Sequence, residues 1–260
     1  MRLAGKVCVV SGAAQGIGAG IARGLASEGA CVVIADVKAE AAAAYAAELV
    51  SDGFKASSFQ VDVAEREQVA ACFDFAIDAY GGLDVVFNNA GFNKPMKFLT
   101  VTEENWNAIN RVNAWGVLMN TQEAAKRMID QGRGGKIVNT ASIAGRQGYP
   151  DIVPYCASKA AVIMITQAAA RELAVHSITV NGFAPGVVAT PLWETLDKDL
   201  MDIGASSREG QAIEDFSAGI LLGRAAVAED LAGLGVFLAS GDSDYMTGQI
   251  LMFDGGMVLV

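Results

Sequence analysis

Short apolar runs alternate with longer, mixed stretches along the whole 260-residue chain. The first run, Val7–Val10, is apolar at every position, which is typical of a strand covered on both faces. The stretch Gly16–Ser27 that follows is typical of a helix, and Gly29 is placed to end it. Alternation of this kind predicts a parallel sheet with right-handed crossovers and helices on both faces.

The same pattern predicts the other elements. Further strands are expected at Cys31–Ala35, Ala56–Val61, Asp84–Phe87, Lys136–Asn139, Ile178–Gly182 and Ile250–Phe253. Further helices are expected at Lys38–Val50, Glu65–Tyr80, Glu103–Asp130, Tyr155–Val175 and Glu229–Ala239. We therefore expect an α/β fold built as a doubly wound parallel sheet of about seven strands. No linker or repeat divides the chain, so residues 1–260 are predicted to form a single domain.

One interval, Thr190–Gly223, interrupts the alternation with mixed polar sequence. Insertions of this length in a compact domain are often functional lids. We expect a lid over a substrate site at about residues 190–223. A plain pair of surface helices is the alternative.

Composition and charge exclude several classes of protein. Hydrophobic residues make up 52% of the chain and charged residues 18%, which excludes disorder and a charge-rich coiled coil. Lys and Arg number 19 against 29 Asp and Glu, giving a net charge of −10. A chain this acidic is a poor partner for nucleic acid or an anionic membrane surface.

Cysteine and histidine usage indicates a reducing compartment and no metal site. The single histidine, His176, cannot complete a zinc-binding spacing. The cysteines form no C-x-x-C pair; they are Cys8, Cys31, Cys72 and Cys156. The chain also begins without the basic and apolar segments of a signal peptide. We expect a cytoplasmic protein without a membrane span.

A glycine-rich turn follows the first predicted strand and opens the first predicted helix. It reads Ser11-Gly12-Ala13-Ala14-Gln15-Gly16-Ile17-Gly18. Glycines let backbone N–H groups approach a pyrophosphate, and the helix N-terminus adds a positive dipole there. Dinucleotide binding is therefore predicted at Gly12, Gln15, Gly16, Ile17 and Gly18, with packing alone as the alternative.

Asp36 stands at the end of the second predicted strand, about 20 residues beyond the turn, at the spacing of a ribose-binding acid. A helix N-cap is the alternative role. A carboxylate here repels a 2′-phosphate, and the turn supplies no cation to pair with one. NAD is therefore predicted as the cofactor in preference to NADP, with Lys38 as the one cation that opposes this choice.

Ser142, Tyr155 and Lys159 form a second candidate group. Tyr155 and Lys159 are four residues apart on a predicted helix, so they share a face. An ammonium beside a phenol favours the phenolate, so we expect a lowered pKa for Tyr155 and a role as general acid or base. Ser142 follows a strand at the carboxyl edge of the sheet, where α/β sheets bind ligands. An exposed helix pair is the alternative for Tyr155 and Lys159.

These motifs occur in a characteristic order together with several others. The others are Asp62-Val63, Asn88-Asn89-Ala90-Gly91, Asn113, Tyr155-Cys156-Ala157-Ser158-Lys159, and Pro185-Gly186 with Thr190. Over essentially the whole chain the sequence resembles the short-chain dehydrogenase/reductase family. The resemblance implies a Rossmann fold and an NAD(H)-dependent oxidoreductase that interconverts a secondary alcohol and a ketone.

The resemblance also implies roles for individual residues. Tyr155 would be the acid/base, Lys159 would bind the nicotinamide ribose, Ser142 would orient the substrate oxygen, and Asn113 would hold a water in a proton relay. Further cofactor contacts are implied at Asp62, Val63, Asn89, Ala90, Gly91, Pro185, Gly186, Val188 and Thr190. Asn113 at a helix irregularity and Thr190 as an N-cap are the alternatives for those two residues.

The substrate is predicted from finer similarities. Ala184–Glu194, Leu222–Arg224 and Asp242–Gln249 resemble acetoin(diacetyl) reductases and 2,3-butanediol dehydrogenases, whereas Tyr155–Thr166 is also similar to sorbitol and galactitol dehydrogenases. Both groups imply a small vicinal diol, acyloin or polyol. Candidate substrate contacts are Asn93, Ile143, Tyr149 and Trp193. Apolar Ile143 argues for a small, less hydroxylated substrate or for the other stereochemical series of the diol.

The same residues bear on two other functions and on assembly. A 3-oxoacyl-carrier-protein reductase would need basic residues, and a non-catalytic NAD-sensing protein would not need both Tyr155 and Lys159. The resemblance implies a homotetramer, with a homodimer as the alternative. The side chains of Met257–Val260 offer no oxygen ligands, so no metal is predicted.

Overall fold

A computed structural model of the chain, which describes residues 1–259, contains one parallel sheet of seven strands. The strands are β1 (Val7–Ser11), β2 (Cys31–Asp36), β3 (Lys55–Gln60), β4 (Val85–Asn88), β5 (Gly135–Thr140), β6 (Ile178–Pro185) and β7 (Ile250–Phe253). Their order across the sheet is β3-β2-β1-β4-β5-β6-β7. Val260 lies outside the described residues. It is the last residue of the predicted domain and of Met257–Val260, the segment for which no metal is predicted.

Helices cover both faces of this sheet. In the described part of the chain they are α1 (Gly16–Ser27), α2 (Ala39–Ser51), α3 (Arg66–Tyr80), α4 (Glu103–Asn110), α5 (Val117–Gln131), α6 (Val153–Leu173), α7 (Pro191–Asp202), α8 (Gln211–Ser217) and α9 (Ala232–Ala239). The predicted doubly wound α/β fold is confirmed. Among residues 1–259 the longest apolar helices fall short of what a membrane crossing requires.

The two layers of core follow from the alternation of side chains along the strands. Cys8 and Val10 of β1 pack in one buried cluster with residues of α1, α2 and α9. Val7 and Val9 point to the opposite face and pack in a second cluster with residues of α3 and α5. Because both faces are covered, β1 is apolar from Val7 to Val10, which is the pattern that its sequence shows.

Strand order determines where a ligand can bind. β1 lies between β2 and β4, so the chain leaves β1 toward one side of the sheet and later returns on the other. Open α/β sheets bind ligands at such a switch point, outside the carboxyl ends of the strands. The glycine turn after β1 and the loop after β4 meet at this position.

Element boundaries differ from the predictions in three instructive places. The predicted helix Glu103–Asp130 is divided by a π-helical segment, Arg111–Gly116, between α4 and α5. α6 begins at Val153 because Pro154 fits the first turn of a helix, where its missing N–H costs no bond. β6 continues beyond Gly182 because Phe183 and the two residues after it pair with β7.

The interval Thr190–Gly223 contains α7 and α8, joined by a loop. Asp197 of α7 is buried, and its carboxylate accepts hydrogen bonds from the N–H groups of Gly210 (2.6 Å) and Ala212 (3.0 Å). A carboxylate at this position satisfies free N–H groups at the start of α8 and interacts favourably with its dipole. The two helices are therefore tied together.

Candidate active site

The glycine turn after β1 is a close-packed cradle that excludes side chains. Gly12 and Gly16 have φ of +65° and +58°, the left-handed region that favours glycine. A Cβ atom built on Gly12 would lie 2.8 Å from the Cα of Ala90, and one on Gly18 would lie 2.4 Å from the carbonyl oxygen of Gly12. One on Gly16 would lie 3.2 Å from Thr190 Cγ2. The turn is thus in contact with the loop after β4 and with the start of α7.

Asn89 and Ser11 brace the turn from the side. The Asn89 amide donates to the carbonyl oxygens of Ser11 (3.0 Å) and Gly12 (3.2 Å). The Ser11 hydroxyl accepts hydrogen bonds from the N–H groups of Asn89 (3.0 Å) and Ala90 (3.2 Å). Ser11 was not among the predicted site residues, although a hydroxyl at the end of an apolar strand indicates a polar contact there.

Asp36 is 8% exposed at the end of β2 and faces the same turn. Its carboxylate accepts hydrogen bonds from the N–H groups of Ala14 (3.1 Å) and Lys38 (3.0 Å). Lys38, rather than Asp36, occupies the N-cap position of α2. Asp36 therefore links β2 to the glycine turn and does not cap the helix.

A cleft of about 730 Å³ runs along this edge of the sheet, and we call it the long cleft. Eleven of the predicted cofactor residues line it: Gly12, Gln15, Gly16, Ile17, Asp36, Asp62, Val63, Asn89, Ala90, Gly91 and Thr190. In the described part of the chain its lining includes two cations, Lys38 and Lys94. Gly18 lies behind it as a packing contact.

A second space, the inner cavity, has a volume of about 250 Å³ and lies beside the long cleft. Predicted residues that line it are Ser142, Tyr155, Pro185, Gly186, Val188, Ile143, Tyr149 and Trp193. Ile17, Asn93 and Thr190 line both spaces, so the two spaces adjoin at these residues. The structure thereby brings the predicted proton-transfer and cofactor groups to one place.

Lys159 lies one helical turn beyond Tyr155 on α6, and its Nζ is 5.6 Å from the centre of the Tyr155 ring. The ammonium is 3% exposed and donates a hydrogen bond of 2.7 Å to the carbonyl oxygen of Thr140. Burial lowers the pKa of Lys159 to about 8. A Cβ atom on Gly91 would lie 3.6 Å from this Nζ, so Lys159 reaches the wall of the long cleft.

The pKa of Tyr155 is shifted in the direction opposite to the one predicted from the sequence. Burial raises the pKa of the Tyr155 phenol, and the nearby Ser142 hydroxyl only partly opposes the rise. The predicted lowering of the Tyr155 pKa is therefore wrong for the protein by itself. The physical reason is that desolvation of the buried phenol outweighs the groups that favour the phenolate.

Ser142 begins a short 3₁₀ turn, Ile143–Gly145, and is buried. Its Oγ accepts a hydrogen bond of 3.1 Å from the N–H of Ala144. A hydroxyl carries one proton, and with Oγ engaged as an acceptor that proton remains free to be donated into the inner cavity. The turn packs on α6, since a Cβ atom on Gly145 would lie 2.7 Å from the carbonyl oxygen of Lys159.

Asn113 lies in the π-helical segment and is fully buried. Its amide accepts from the N–H of Phe92 (3.0 Å), donates to the carbonyl oxygen of Phe92 (2.9 Å) and donates to Ser158 Oγ (3.2 Å). The side chain thus fixes the loop after β4 against α6. This bracing is the alternative that the sequence left open, and the proton relay stays a prediction.

Tyr149, Phe216 and Trp193 form an aromatic cluster at the far side of the inner cavity. The ring centres of Tyr149 and Phe216 are 5.8 Å apart, and those of Trp193 and Phe216 are 5.5 Å apart. Gln147 donates a hydrogen bond of 2.6 Å to the Tyr149 hydroxyl. Phe216 lies on α8, more than twenty residues beyond Trp193 on α7, and was not among the predicted site residues.

Comparisons with known proteins agree on the family and differ in the enzyme that is named. A sequence model of the family described as short chain dehydrogenase matches residues 6–201. A diacetyl reductase [(S)-acetoin forming] of Staphylococcus epidermidis is 39% identical over 253 residues, which cover 97% of this chain and 98% of that protein. An L-2,3-butanediol dehydrogenase of Corynebacterium glutamicum is 42% identical over 255 residues, with 97% and 98% covered.

Other similarities extend to polyol enzymes and to solved structures. A sorbitol dehydrogenase of Cereibacter sphaeroides is 40% identical over 256 residues, with 98% of both chains covered. The crystal structure of a short-chain type dehydrogenase/reductase from Mycobacterium marinum is 36% identical and superimposes with a TM-score of 0.91, covering 100% of this chain and 98% of that one.

Proposed function

The chain belongs to the short-chain dehydrogenase family and is an alcohol/ketone oxidoreductase, and from that premise we propose that it uses NAD(H) to interconvert a secondary alcohol and a ketone on a small acyloin or vicinal diol. The observation that carries the proposal is the position of Tyr155 and Ser142 on one cavity that adjoins the long cleft. A proton donor and an oxygen-binding hydroxyl thus meet where a dinucleotide cradle ends.

The long cleft fits a nicotinamide dinucleotide. Gly12 and Gly16 line it at the turn after β1, where glycines let backbone N–H groups approach a pyrophosphate and the N-terminus of α1 adds a positive dipole. Asp36 would hold the adenosine ribose, Asp62 and Val63 the adenine, and Lys159 the nicotinamide ribose. The loop after β4 would contact the middle of the cofactor, and residues 185–190 its carboxamide. When bound, the cofactor supplies or accepts the hydride.

The choice of NAD rests on charge. The Asp36 carboxylate faces the cleft at the point where an adenosine ribose would end, and a 2′-phosphate there would meet a like charge. The Asp36 carboxylate also accepts a hydrogen bond from the turn, so it is held in place. Lys38 also lines the cleft, and its ammonium would attract a 2′-phosphate and so opposes this choice.

Tyr155 is the proposed proton donor and acceptor. In ketone reduction Tyr155 gives its proton to the substrate oxygen, while Ser142 donates a hydrogen bond to the same atom; alcohol oxidation is the reverse. A raised phenol pKa keeps Tyr155 protonated and ready to act as the acid. In the oxidation direction, the ammonium of Lys159 stabilises the phenolate that must form.

The pair α7 and α8 is proposed as the lid over the substrate. Trp193 of α7 and Phe216 of α8 both line the inner cavity, and Asp197 ties the helices together. Movement of this unit would open the cavity to solvent.

The substrate class rests on the inner cavity and on the relatives. Ile143 follows Ser142 directly, is 5% exposed and presents no polar partner for an additional hydroxyl. An acyloin or diol with few hydroxyls suits this wall better than a hexitol does. Sorbitol oxidation is the second candidate, because a sorbitol dehydrogenase is among the similar proteins.

A homotetramer is proposed as the assembled form. Large apolar side chains are exposed on the surface formed by α4, the π-helical segment and α6; they are Trp106, Trp115 and Met164. Exposed apolar patches of this kind often mark interfaces. Light scattering after size-exclusion chromatography distinguishes a tetramer from a dimer.

Substitution of the acid/base tests the proposed function. Tyr155→Phe is expected to lower kcat at least 100-fold with acetoin and NADH, since general acid catalysis contributes about 10²–10⁴-fold. NADH binding, followed by fluorescence, should stay within twofold. The control is Tyr245→Phe, which removes a fully exposed hydroxyl. Near-normal turnover by Tyr155→Phe would refute the assignment.

A further inference from the structure

The aromatic side chains of the inner cavity form a continuous apolar wall. We call Tyr149, Trp193 and Phe216 the aromatic wall; adjacent ring centres lie 5.5–5.8 Å apart, within the range of favourable aromatic pairs. Leu196, Leu200 and Ile152 line the cavity beside this wall. A methyl group contacts only a small part of such a surface.

The cavity has room for more than a methyl group. Its volume is about 250 Å³, whereas a cavity of roughly 150 Å³ lined by aliphatic and aromatic side chains binds benzene. The difference leaves space for the reacting carbon where the cavity borders the long cleft. A ring-sized apolar group therefore fits against the aromatic wall.

Charge around the cavity excludes one type of large substrate. Among the described residues, those lining it include the carboxyl groups of Asp151 and Asp215 and neither lysine nor arginine. The Asp151 carboxylate is paired with Lys97 (3.1 Å), so a carboxylate or phosphate on the substrate would face the Asp215 carboxylate and find no cation in the cavity lining to pair with. The large substituent must therefore be uncharged.

Asn93 supplies a polar contact at the other end of the cavity. It is 8% exposed, lines both the inner cavity and the long cleft, and its Oδ1 has no hydrogen-bond partner in the protein. A buried amide oxygen without a partner costs free energy, which a ligand hydroxyl can offset.

The backbone around Asn93 is fixed. The carbonyl oxygen of Lys94 accepts a hydrogen bond from the Asn105 amide (3.0 Å), and the Lys94 ammonium pairs with Asp199. Asn93 is consequently held where the cavity and the cleft meet, with its amide available to a ligand.

We propose, resting on the function above, that the substrate is an α-hydroxy ketone with a ring-sized apolar substituent on the carbonyl carbon, seated on the aromatic wall, and a neighbouring hydroxyl bound by Asn93. In reduction, the carbonyl carbon accepts a hydride from the reduced nicotinamide and its oxygen accepts the Tyr155 proton. The product is a vicinal diol. Asn93 and Phe216 are thus specificity-determining residues.

Four ketones test the contact of the ring with the aromatic wall and the contact of the hydroxyl with Asn93 separately. They are butan-2-one, 3-hydroxybutan-2-one, 1-cyclohexylpropan-1-one and 1-cyclohexyl-2-hydroxypropan-1-one, so the ring and the hydroxyl are each varied alone. Cyclohexyl is used because it is not conjugated with the carbonyl group. The ring is expected to raise kcat/KM about tenfold or more over methyl, as burial of a large apolar group predicts. The hydroxyl should raise it by about tenfold.

Two variants assign these gains to residues. Phe216→Ala should remove most of the gain from the ring, so kcat/KM should fall far more for the two cyclohexyl ketones than for the two methyl ketones. Its control is Ile213→Ala, on the same helix but outside the inner cavity. Asn93→Leu should remove the gain from the hydroxyl while the Kd for NADH, measured by fluorescence, stays within twofold.

The outcomes distinguish this inference from the proposed function. If 3-hydroxybutan-2-one is reduced as efficiently as the cyclohexyl compound, the inference is overturned and the proposed function stands. A change in NADH affinity in Asn93→Leu would assign Asn93 to the cofactor and overturn its part in substrate binding. If the protein reduces none of the four ketones, both the proposed function and the inference are overturned.

Discussion

Lys94 and Asp199 form an ion pair across the mouth of the long cleft, with 2.5 Å between Lys94 Nζ and Asp199 Oδ1. Lys94 belongs to the loop after β4, and Asp199 belongs to α7 of the proposed lid. Both residues line the cleft. The Asp199 side chain is 10% exposed and that of Lys94 is 57% exposed, so the pair joins a nearly buried carboxylate to a partly solvated ammonium.

This ion pair is expected to slow release of the cofactor. Lys94→Met removes the attraction that holds α7 to the loop after β4, and a partly exposed pair is worth about 1 kcal/mol, or roughly a fivefold change in rate. We expect NADH to dissociate about three- to tenfold faster from this variant in stopped-flow displacement.

Salt and a matched variant test the same prediction. High salt should speed NADH dissociation from the wild-type protein and have little effect on Lys94→Met, because the ammonium is accessible to ions. Lys198→Met removes an ammonium from the same helix, outside the ion pair, and serves as the control. Equal dissociation rates in all three proteins would show that the lid is not held by this contact.

Asp36 is predicted to set the preference for NAD. Asp36→Asn keeps an oxygen that can accept hydrogen bonds from the turn but removes the charge that opposes a 2′-phosphate. The ratio of kcat/KM for NAD to that for NADP is expected to fall about tenfold or more. Asp52→Asn, which removes a surface carboxylate paired with Arg23, is the control. An unchanged ratio would assign the preference to Lys38 or to another group.

The fold followed from the sequence because both faces of the sheet are covered. Runs such as Val7–Val10 and Cys31–Ala35 are apolar without alternation, and only a doubly covered strand requires that pattern. The interruption of Glu103–Asp130 did not follow, because a π-helical turn hardly changes the spacing of apolar positions. Asn113 was the available signal, since a polar side chain in the buried face of a helix needs partners.

The site followed from the sequence only in part. Glycines and acids at strand ends are predictable, because parallel strands bring their carboxyl ends to one edge. Side chains that meet from separate loops are not predictable in this way: Phe216 reaches Tyr149 and Trp193 through the packing of α8. The pKa of Tyr155 depends on desolvation, which the four-residue spacing to Lys159 does not reveal.

Burial of Lys159 makes stability depend on pH. Its pKa is about 8 in the folded protein and 10.5 ordinarily, so between these values the unfolded chain binds a proton that the folded protein has released. The contribution of Lys159 to the free energy of unfolding therefore rises with pH across this window, and the charged lysine costs the folded protein about 3 kcal/mol below pH 8. Lys159→Met should lack this rise.

Urea unfolding between about pH 7.5 and 9.5 measures the effect. The wild-type protein should gain stability relative to Lys159→Met as the pH increases. The difference from Lys159→Met is the quantity to compare, because the raised pKa values of Cys8 and Cys72 lower the stability of both proteins above about pH 9. The measurement stops below pH 10, where the raised pKa of Tyr155 begins to act in the same opposing direction. Lys55→Met, which removes an exposed ammonium, is the control. Parallel pH profiles for wild type and Lys159→Met would contradict the prediction.

Ile143 is predicted to discriminate against polyols. Its side chain is buried beside Ser142 on the wall of the inner cavity, where an extra substrate hydroxyl would lose its hydrogen bonds to water. Ile143→Gln supplies an amide at that position, so the ratio of kcat/KM for sorbitol to that for 3-hydroxybutan-2-one should rise about tenfold. Ile152→Gln introduces the same amide elsewhere in the cavity and controls for a general gain in polarity. If both variants raise the ratio equally, polarity of the cavity as a whole sets the selectivity, and contact with the residue after Ser142 does not.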